Sequence, residues 1–149
     1  MRRTVLLLAS LLLLAACRVH GEGSGGHDVP GNSEDRHPFA GIAPGEVLHL
    51  TGTEPFWGAV LAGDTLTWTS PAIPQGVAVA VSRFAGRGGI GLSGTLEGKT
   101  LDVTITPGTC SDVMSERHYP FTATVLLGGE TREGCAWGDA HPFTGPKAP

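Results

Sequence analysis

Three residues with the chemistry of a hydrolytic triad lie close together in this chain. Asp112, Ser115 and His118 follow one another at intervals of three residues. Working triads draw the acid, the base and the nucleophile from separate elements that fix their geometry, whereas these three share one short segment without an oxyanion-hole motif. We therefore expect Asp112 and Ser115 to bond to nearby backbone groups and to stabilise turns, and we assign no catalytic residue.

The N-terminus has the pattern of a bacterial lipoprotein signal peptide over residues 1–16. Arg2 and Arg3 form a positive n-region, and residues 5–14 form an apolar region too short to span a bilayer. The sequence Leu-Ala-Ala-Cys then ends at Cys17 and resembles a lipobox, whose cysteine becomes the lipidated first residue of the mature chain, carrying acyl groups such as palmitate. Ordinary secretory cleavage, with the cysteine incidental, is the alternative.

The residue after the cysteine bears on the location of the protein. It is Arg18 rather than Asp, and in a two-membrane bacterium the resemblance to a lipobox implies the outer membrane, facing the periplasm.

Charge and hydropathy limit the partners. Once the leader is removed, eight basic residues face 14 acidic ones, a net charge of −6, so nucleic acid is not an expected partner. Beyond residue 16 no apolar stretch reaches about 18 residues. We expect the N-terminal lipid to provide the contact with the membrane.

Residues 17–41 are predicted to be a lipidated N-terminus followed by a flexible tether. They are rich in Gly, Ser, Asp and His and lack periodicity, so they cannot bury enough surface to offset the entropy of ordering. His20, His27 and His37 lie beside acidic residues, which leaves a loose metal site as an alternative. Their spacing is irregular and nothing fixes the ligands, so we favour a solvated linker and predict no metal or cofactor.

Residues 42–141 are predicted to form one all-β domain. Residues 100–106 show the clearest alternation of apolar and polar side chains, and no helical stripe persists. About eight strands are expected, at 46–51, 56–61, 65–69, 77–82, 90–96, 100–106, 119–127 and in a short segment that ends at Cys135. A small antiparallel up-and-down barrel covers its own inner face and removes the edges; a two-sheet sandwich is the alternative. Residues 70–75 are expected to form a loop, and residues 142–149 a frayed tail.

Two cysteines remain once Cys17 is assigned to lipid. Cys110 and Cys135 form an even pair in an oxidising compartment, most simply a disulfide. Closing a loop of about 26 residues should stabilise the fold by roughly 3.5 kcal/mol on the chain-entropy model. A redox pair or a metal site is the alternative, but the spacing is not CxxC and no third ligand lies nearby.

Two motifs resemble a bacterial family of uncharacterised membrane-associated lipoproteins. These are GTEPFW at residues 52–57 and CSDVMSERHYPFTATVLLGGETREGCA at residues 110–136. The family pairs a GTEPFW box with a C-S-D-G-M-S-D-R-x-Y-P box and a closing G-C-A. Val113 stands where the family tends to have Gly, and Glu116 where it tends to have Asp. The resemblance implies the fold and an envelope location more than a function.

The two motifs also supply the candidate binding surface. Within it, we expect Glu54 to form a two-pronged ion pair with Arg117 across the barrel mouth. We expect the flexible side chain of Met114 to plug one end of the barrel. The full set of candidate binding residues is Glu54, Phe56, Trp57, Asp112, Met114, Ser115, Arg117 and Tyr119.

Three classes of function are compatible with these observations. We favour a non-catalytic, lipid-anchored binding or inhibitor module, which presents residues 110–119 to an envelope protein or a small apolar ligand. Its general plan resembles the lipoprotein inhibitors of lysozyme, although their motifs are absent. A structural or envelope-assembly role is the alternative, and a hydrolase ranks last. Trp57, Trp68 and Phe121 are expected in the core rather than in a ligand cage.

Overall fold

Eight segments of alternating apolar and polar residues form eight antiparallel strands that close into a barrel. The computed structural model describes residues 37–147; the predicted signal peptide, Cys17, His20, His27 and most of the predicted tether lie outside them. The predicted up-and-down barrel is confirmed. The strands are β1 (Leu48–Thr53), β2 (Phe56–Ala62), β3 (Thr65–Ser70), β4 (Ile73–Ala85), β5 (Ile90–Leu96), β6 (Lys99–Cys110), β7 (Tyr119–Leu127) and β8 (Glu130–Gly138).

Each strand pairs with the next one in the chain, and β8 pairs with β1 to close the barrel. Because side chains alternate across a strand, Leu101, Val103 and Ile105 are buried inside while Thr104 faces out. Four short turns, after β1, β3, β5 and β7, connect strands at one end of the barrel. The other end, where β1 begins and β8 finishes, is the terminal end.

Two tryptophans fill the interior. Trp57 and Trp68 are both buried, with their ring centroids 5.1 Å apart and their planes 3° from parallel. The indole of Trp57 lies against Gly52 on β1 and Gly134 on β8, where an added Cβ would collide with it. Phe121 is buried as well, so all three aromatic residues belong to the core, as predicted.

The N-terminal boundary of the domain differs from the prediction. Phe39 packs against the core, and its N–H donates to the carbonyl of Gly86 at 2.7 Å. Ile42 is buried, and its carbonyl accepts a hydrogen bond of 2.8 Å from Arg83. The predicted tether to residue 41 is therefore wrong over its last residues. Within the predicted tether it is Phe39 that packs against the core, whereas Ile42 already belonged to the predicted domain.

Three strands extend well beyond their predicted bounds, and one of them is β6, which continues past residue 106 to Cys110. The expected loop over residues 70–75 is wrong, because β4 begins at Ile73, which pairs with Ser70 across a tight turn. A register shift between Trp68 and Ser70 accommodates the two prolines nearby. At the other end of the chain, β8 continues past Cys135 to Gly138, because it pairs with β1 over that length.

Replacing Gly52 by Ala should destabilise the barrel by about 1–3 kcal/mol, because the new methyl group has to displace the Trp57 indole in a filled core. Urea unfolding, followed by tryptophan fluorescence, measures this change. Gly45→Ala is the matched control, since an added Cβ there meets nothing within 4 Å. Equal stability of the two variants would contradict the packing described above.

Candidate functional site

The candidate site is a loop held against the outside of the barrel. A register shift between Pro107 and Cys110 ends the regular pairing of β6 with β7. Cys110 then reaches past β7 and forms a disulfide with Cys135 on β8, with a Cα–Cα distance of 5.6 Å. Cys135 pairs with Thr51 of β1, and it faces outward because its neighbours Gly134 and Ala136 face the interior. The disulfide therefore fixes the start of residues 111–118, which we call the outer loop, to the barrel wall.

Asp112 organises the outer loop through its two carboxylate oxygens. Oδ1 accepts hydrogen bonds from the N–H of Met114 at 3.1 Å and the N–H of Ser115 at 2.8 Å. Oδ2 accepts from the Ser115 hydroxyl at 2.9 Å and from the Tyr119 hydroxyl at 2.8 Å. The predicted turn-stabilising contacts of Asp112 and Ser115 are present, and they give the loop a defined shape.

This network shifts two pKa values. Burial alone raises the pKa of Asp112, but hydrogen bonds from the backbone of Ser115, from Tyr119, from the Ser115 hydroxyl and from the backbone of Met114 favour the carboxylate and bring the net pKa below its usual value. Burial and the hydrogen bond to Asp112 raise the pKa of Tyr119. Asp112 is therefore ionised and Tyr119 neutral at neutral pH.

The three triad-type residues are not arranged as a relay. The Ser115 hydroxyl bonds directly to both Asp112 oxygens, at 3.0 and 2.9 Å. His118 is exposed, and within residues 37–147 no hydrogen bond joins its ring to either residue. A base between acid and nucleophile is what such a mechanism requires. This arrangement orders a loop instead.

Two apolar side chains project from the outer loop into solvent. Met114 is 68% exposed, so the prediction that it plugs one end of the barrel is wrong: the loop lies on the outer wall. Val113 is 81% exposed and has a φ of 53°. A β-branched residue is rarely found in this left-handed conformation. The apolar pair lies directly beside the polar residues that hold the loop.

Arg117 binds the C-terminal segment rather than Glu54. Its guanidinium donates to the carbonyls of Pro146 at 2.8 Å and Lys147 at 2.6 Å and lies 4.7 Å from the ring centre of Phe143. Among residues 37–147 there is no ion pair between Arg117 and Glu54, so that predicted contact is wrong. The spacing of the two motifs along the chain does not indicate where the C-terminal segment lies. That segment supplies the carbonyls that bind the Arg117 guanidinium in place of Glu54.

The predicted frayed tail is ordered over residues 142–147. Thr144 and His118 exchange two backbone hydrogen bonds of 2.9 Å. Phe143 packs against Tyr119 and Trp137, with ring centroids 5.7 Å away in both cases. The prediction treated this proline-containing end as unstructured, whereas its one aromatic residue packs against aromatic rings on the outer wall.

The two sequence motifs meet in an open groove of about 820 Å³ on the outer wall. Glu54 belongs to the first motif and Asp112 to the second, and Glu133 of β8 adds a third carboxylate; no Lys or Arg is among the lining residues. Val113 forms part of one wall. The remaining lining residues are Thr51, Gly52, Thr53, Cys110, Ser111, Thr122, Ala123, Thr124, Thr131, Gly134 and Cys135.

The other candidate residues divide into buried and exposed ones. Trp57 lies inside the barrel and Tyr119 is buried under Phe143, so neither ring is available to a partner. Phe56 is exposed and lines a second depression of about 350 Å³, which shares Thr51 and Gly52 with the groove. Sequence reasoning missed Glu133 altogether. The sequence carried one signal of this site, which was the presence of two apolar residues, Val113 and Met114, inside an otherwise polar segment.

Searches of family models, curated proteins and solved structures found no match to this chain. Within residues 37–147, no group of three or more His, Cys, Asp or Glu residues is placed to hold a metal ion. The same residues contain no helix long and apolar enough to cross a membrane.

Asp112→Asn should lower the free energy of unfolding at pH 7 by about 1–2 kcal/mol, because the amide nitrogen cannot accept the hydrogen bonds that one carboxylate oxygen accepts from Ser115 and Tyr119. The folded-state pKa of Asp112 is depressed, so its stabilisation is present above about pH 4 and is lost as the pH falls through the folded value. The difference between wild type and variant should shrink over that range in urea unfolding curves.

The control for this experiment is Asp139→Asn, which removes an exposed carboxylate with no hydrogen bond to the other described residues. We expect it to have little effect at any pH. A difference between wild type and Asp112→Asn that stays constant from pH 7 to pH 3 would refute the assignment.

Proposed function

We propose that this protein is a non-catalytic, lipid-anchored module of the cell envelope that binds another protein through the outer loop and the adjacent groove. The filled barrel interior carries this proposal. Trp57, Trp68 and the apolar side chains of all eight strands occupy the space in which a small barrel would otherwise hold a ligand. This arrangement favours the outer wall over the interior as the binding surface.

The outer loop has the properties of a protein-binding loop. It carries exposed apolar side chains on a backbone that is held by the disulfide and by the bonds to Asp112. A loop already ordered before binding loses little conformational entropy when it binds. The polar residues in it are used to order the loop, which favours binding over turnover as its role.

The N-terminal lipid would concentrate the module at the membrane surface. Residues 37–39 lead into the terminal end of the barrel, where Phe39 packs, so the anchor would attach there. One acyl chain binds a membrane only marginally, and stable anchoring needs a second signal such as a further acyl chain. The lipobox-like sequence ending at Cys17 supports such an anchor.

Cys17→Ser should release the protein from membranes, because the thiol of Cys17, joined to lipid as a thioether, is the proposed attachment point. We expect most of the variant in the soluble envelope fraction and most of the wild type in the detergent phase after phase partitioning. Mass spectrometry of the wild-type N-terminal peptide should show acylated Cys17. Membrane retention of Cys17→Ser equal to that of wild type would refute the anchor.

A photoreactive benzoylphenylalanine at position 114, in the complete chain and in intact cells, should form discrete protein adducts. Position 126 is the matched control, since Leu126 is also exposed and apolar but belongs to β7 rather than to the outer loop. Adducts that form at position 114 but not at 126, and that disappear when unlabelled protein is overproduced, are the expected result. The proposal fails if both positions give the same adducts or neither gives any.

A further inference from the structure

Val113 combines an unfavourable backbone conformation with almost complete exposure. Its φ of 53° lies in the left-handed region, where a β-branched side chain crowds its own backbone. With 81% of its surface in solvent, its side chain gains little from packing within the molecule. Glycine or asparagine would adopt this conformation more easily. The side chain at position 113 therefore destabilises the folded monomer. A contact with a binding partner would account for its presence.

Met114 extends the same apolar surface. It follows Val113 directly, and its flexible thioether side chain is suited to filling a pocket of irregular shape. The backbone beneath both residues is fixed, because the N–H of Met114 donates to Asp112 and the N–H of Val113 donates to the Ser111 hydroxyl at 3.3 Å. Methionine is enriched at protein interfaces, so an exposed methionine on a fixed backbone is suited to contact a partner.

The groove beside this pair is acidic. Glu54 and Glu133 are exposed in its lining, and no lysine or arginine lines it. The nearby cation Arg117 is bonded to the C-terminal segment. Most of the other lining residues are threonine, serine or glycine, which offer hydroxyl groups and backbone to a partner. A complementary surface would bring positive charge to the carboxylates.

We infer that Val113, Met114, Glu54 and Glu133 form a docking surface for a protein segment that carries one or more cationic side chains beside an apolar one. This inference rests on the proposed function and names the chemistry of its partner. A membrane is the other apolar surface that Val113 and Met114 could enter. The adjacent carboxylates oppose that choice, because bacterial lipid headgroups are largely anionic or zwitterionic.

The test is selection of phage-displayed random 12-residue peptides against the complete chain in detergent. We expect the enriched peptides to combine lysine or arginine with an aliphatic or aromatic residue. Their affinity, measured by fluorescence anisotropy of synthetic copies, should fall at least tenfold for Met114→Gln and for Glu133→Lys. The matched controls, Leu126→Gln and Glu97→Lys, lie outside the proposed docking surface, on β7 and in the turn after β5, and should leave the affinity unchanged.

Val113→Asn separates the contact from the fold. Because asparagine tolerates the left-handed conformation, we expect the melting temperature to rise by roughly 2–5 °C, while peptide affinity falls at least fivefold. A variant that melts lower than wild type would overturn the argument from backbone strain. Unchanged affinity would show that the side chain at position 113 is not part of the contact.

The remaining outcomes separate this inference from the proposed function. Enriched peptides that are acidic or uncharged, together with cross-linking at position 114, would overturn the partner chemistry and leave a protein-binding role. Binding to phosphatidylethanolamine–phosphatidylglycerol vesicles that Met114→Gln abolishes would overturn protein docking in favour of membrane contact. Failure of both selection and cross-linking would remove the proposed function itself.

Discussion

The pairing of β8 with β1 closes the barrel, and both the core and the candidate site require that closure. Without it the sheet would have two open edges and an apolar inner face with nothing to cover it. The pairing sets Thr51 opposite Cys135 and brings Gly52 and Gly134 to the same part of the interior. Trp57 fits there because neither glycine has a side chain, and it then stacks on Trp68. Closure and core packing are therefore one requirement.

The same pairing also places the candidate site. Cys135 faces outward from the closing strand, and its bond to Cys110 draws the outer loop across β7 onto the wall. The loop thus lies on a rigid surface rather than at an open barrel end. Its interior is ordered by one carboxylate, that of Asp112, and its far side by the contact between Arg117 and the C-terminal segment. Each of these interactions orders the loop without covering Val113 or Met114.

Order and exposure have opposite effects on stability in this loop. Hydrogen bonds to Asp112 stabilise the folded chain, whereas the left-handed Val113 and the exposed Met114 give nothing back within the monomer. Proteins retain such unfavourable conformations when the surroundings hold them in place, and they are common at functional sites. The cluster of Tyr119, Trp137 and Phe143 beneath the loop provides that support. These contacts on the barrel wall stabilise the folded chain and so permit the unfavourable conformation of Val113 at the surface.

The strands could be predicted from the amino-acid sequence, because alternation of apolar and polar residues and the positions of Gly and Pro are local properties. Residues 100–106 and 119–127 could be placed from their own composition, and the number of strands followed. The pairing of Cys110 with Cys135 was also accessible, since only two cysteines remained to pair. The start of β4 and the N-terminal boundary of the domain did not follow from local patterns, because Ile73 and Phe39 join the fold through their contacts with other parts of the chain.

The position of the outer loop and the partners of its charged side chains depend on contacts between residues far apart in the chain. Arg117 had two possible partners, and the packing of Phe143 on the outer wall brought backbone carbonyls to it instead of Glu54. The groove joins residues from four separate strands, the turn at Glu54 and the outer loop, so no window of sequence contains it. The physical reason is that alternation fixes the face of a strand on which a side chain lies, whereas its neighbours on that face depend on barrel closure and register.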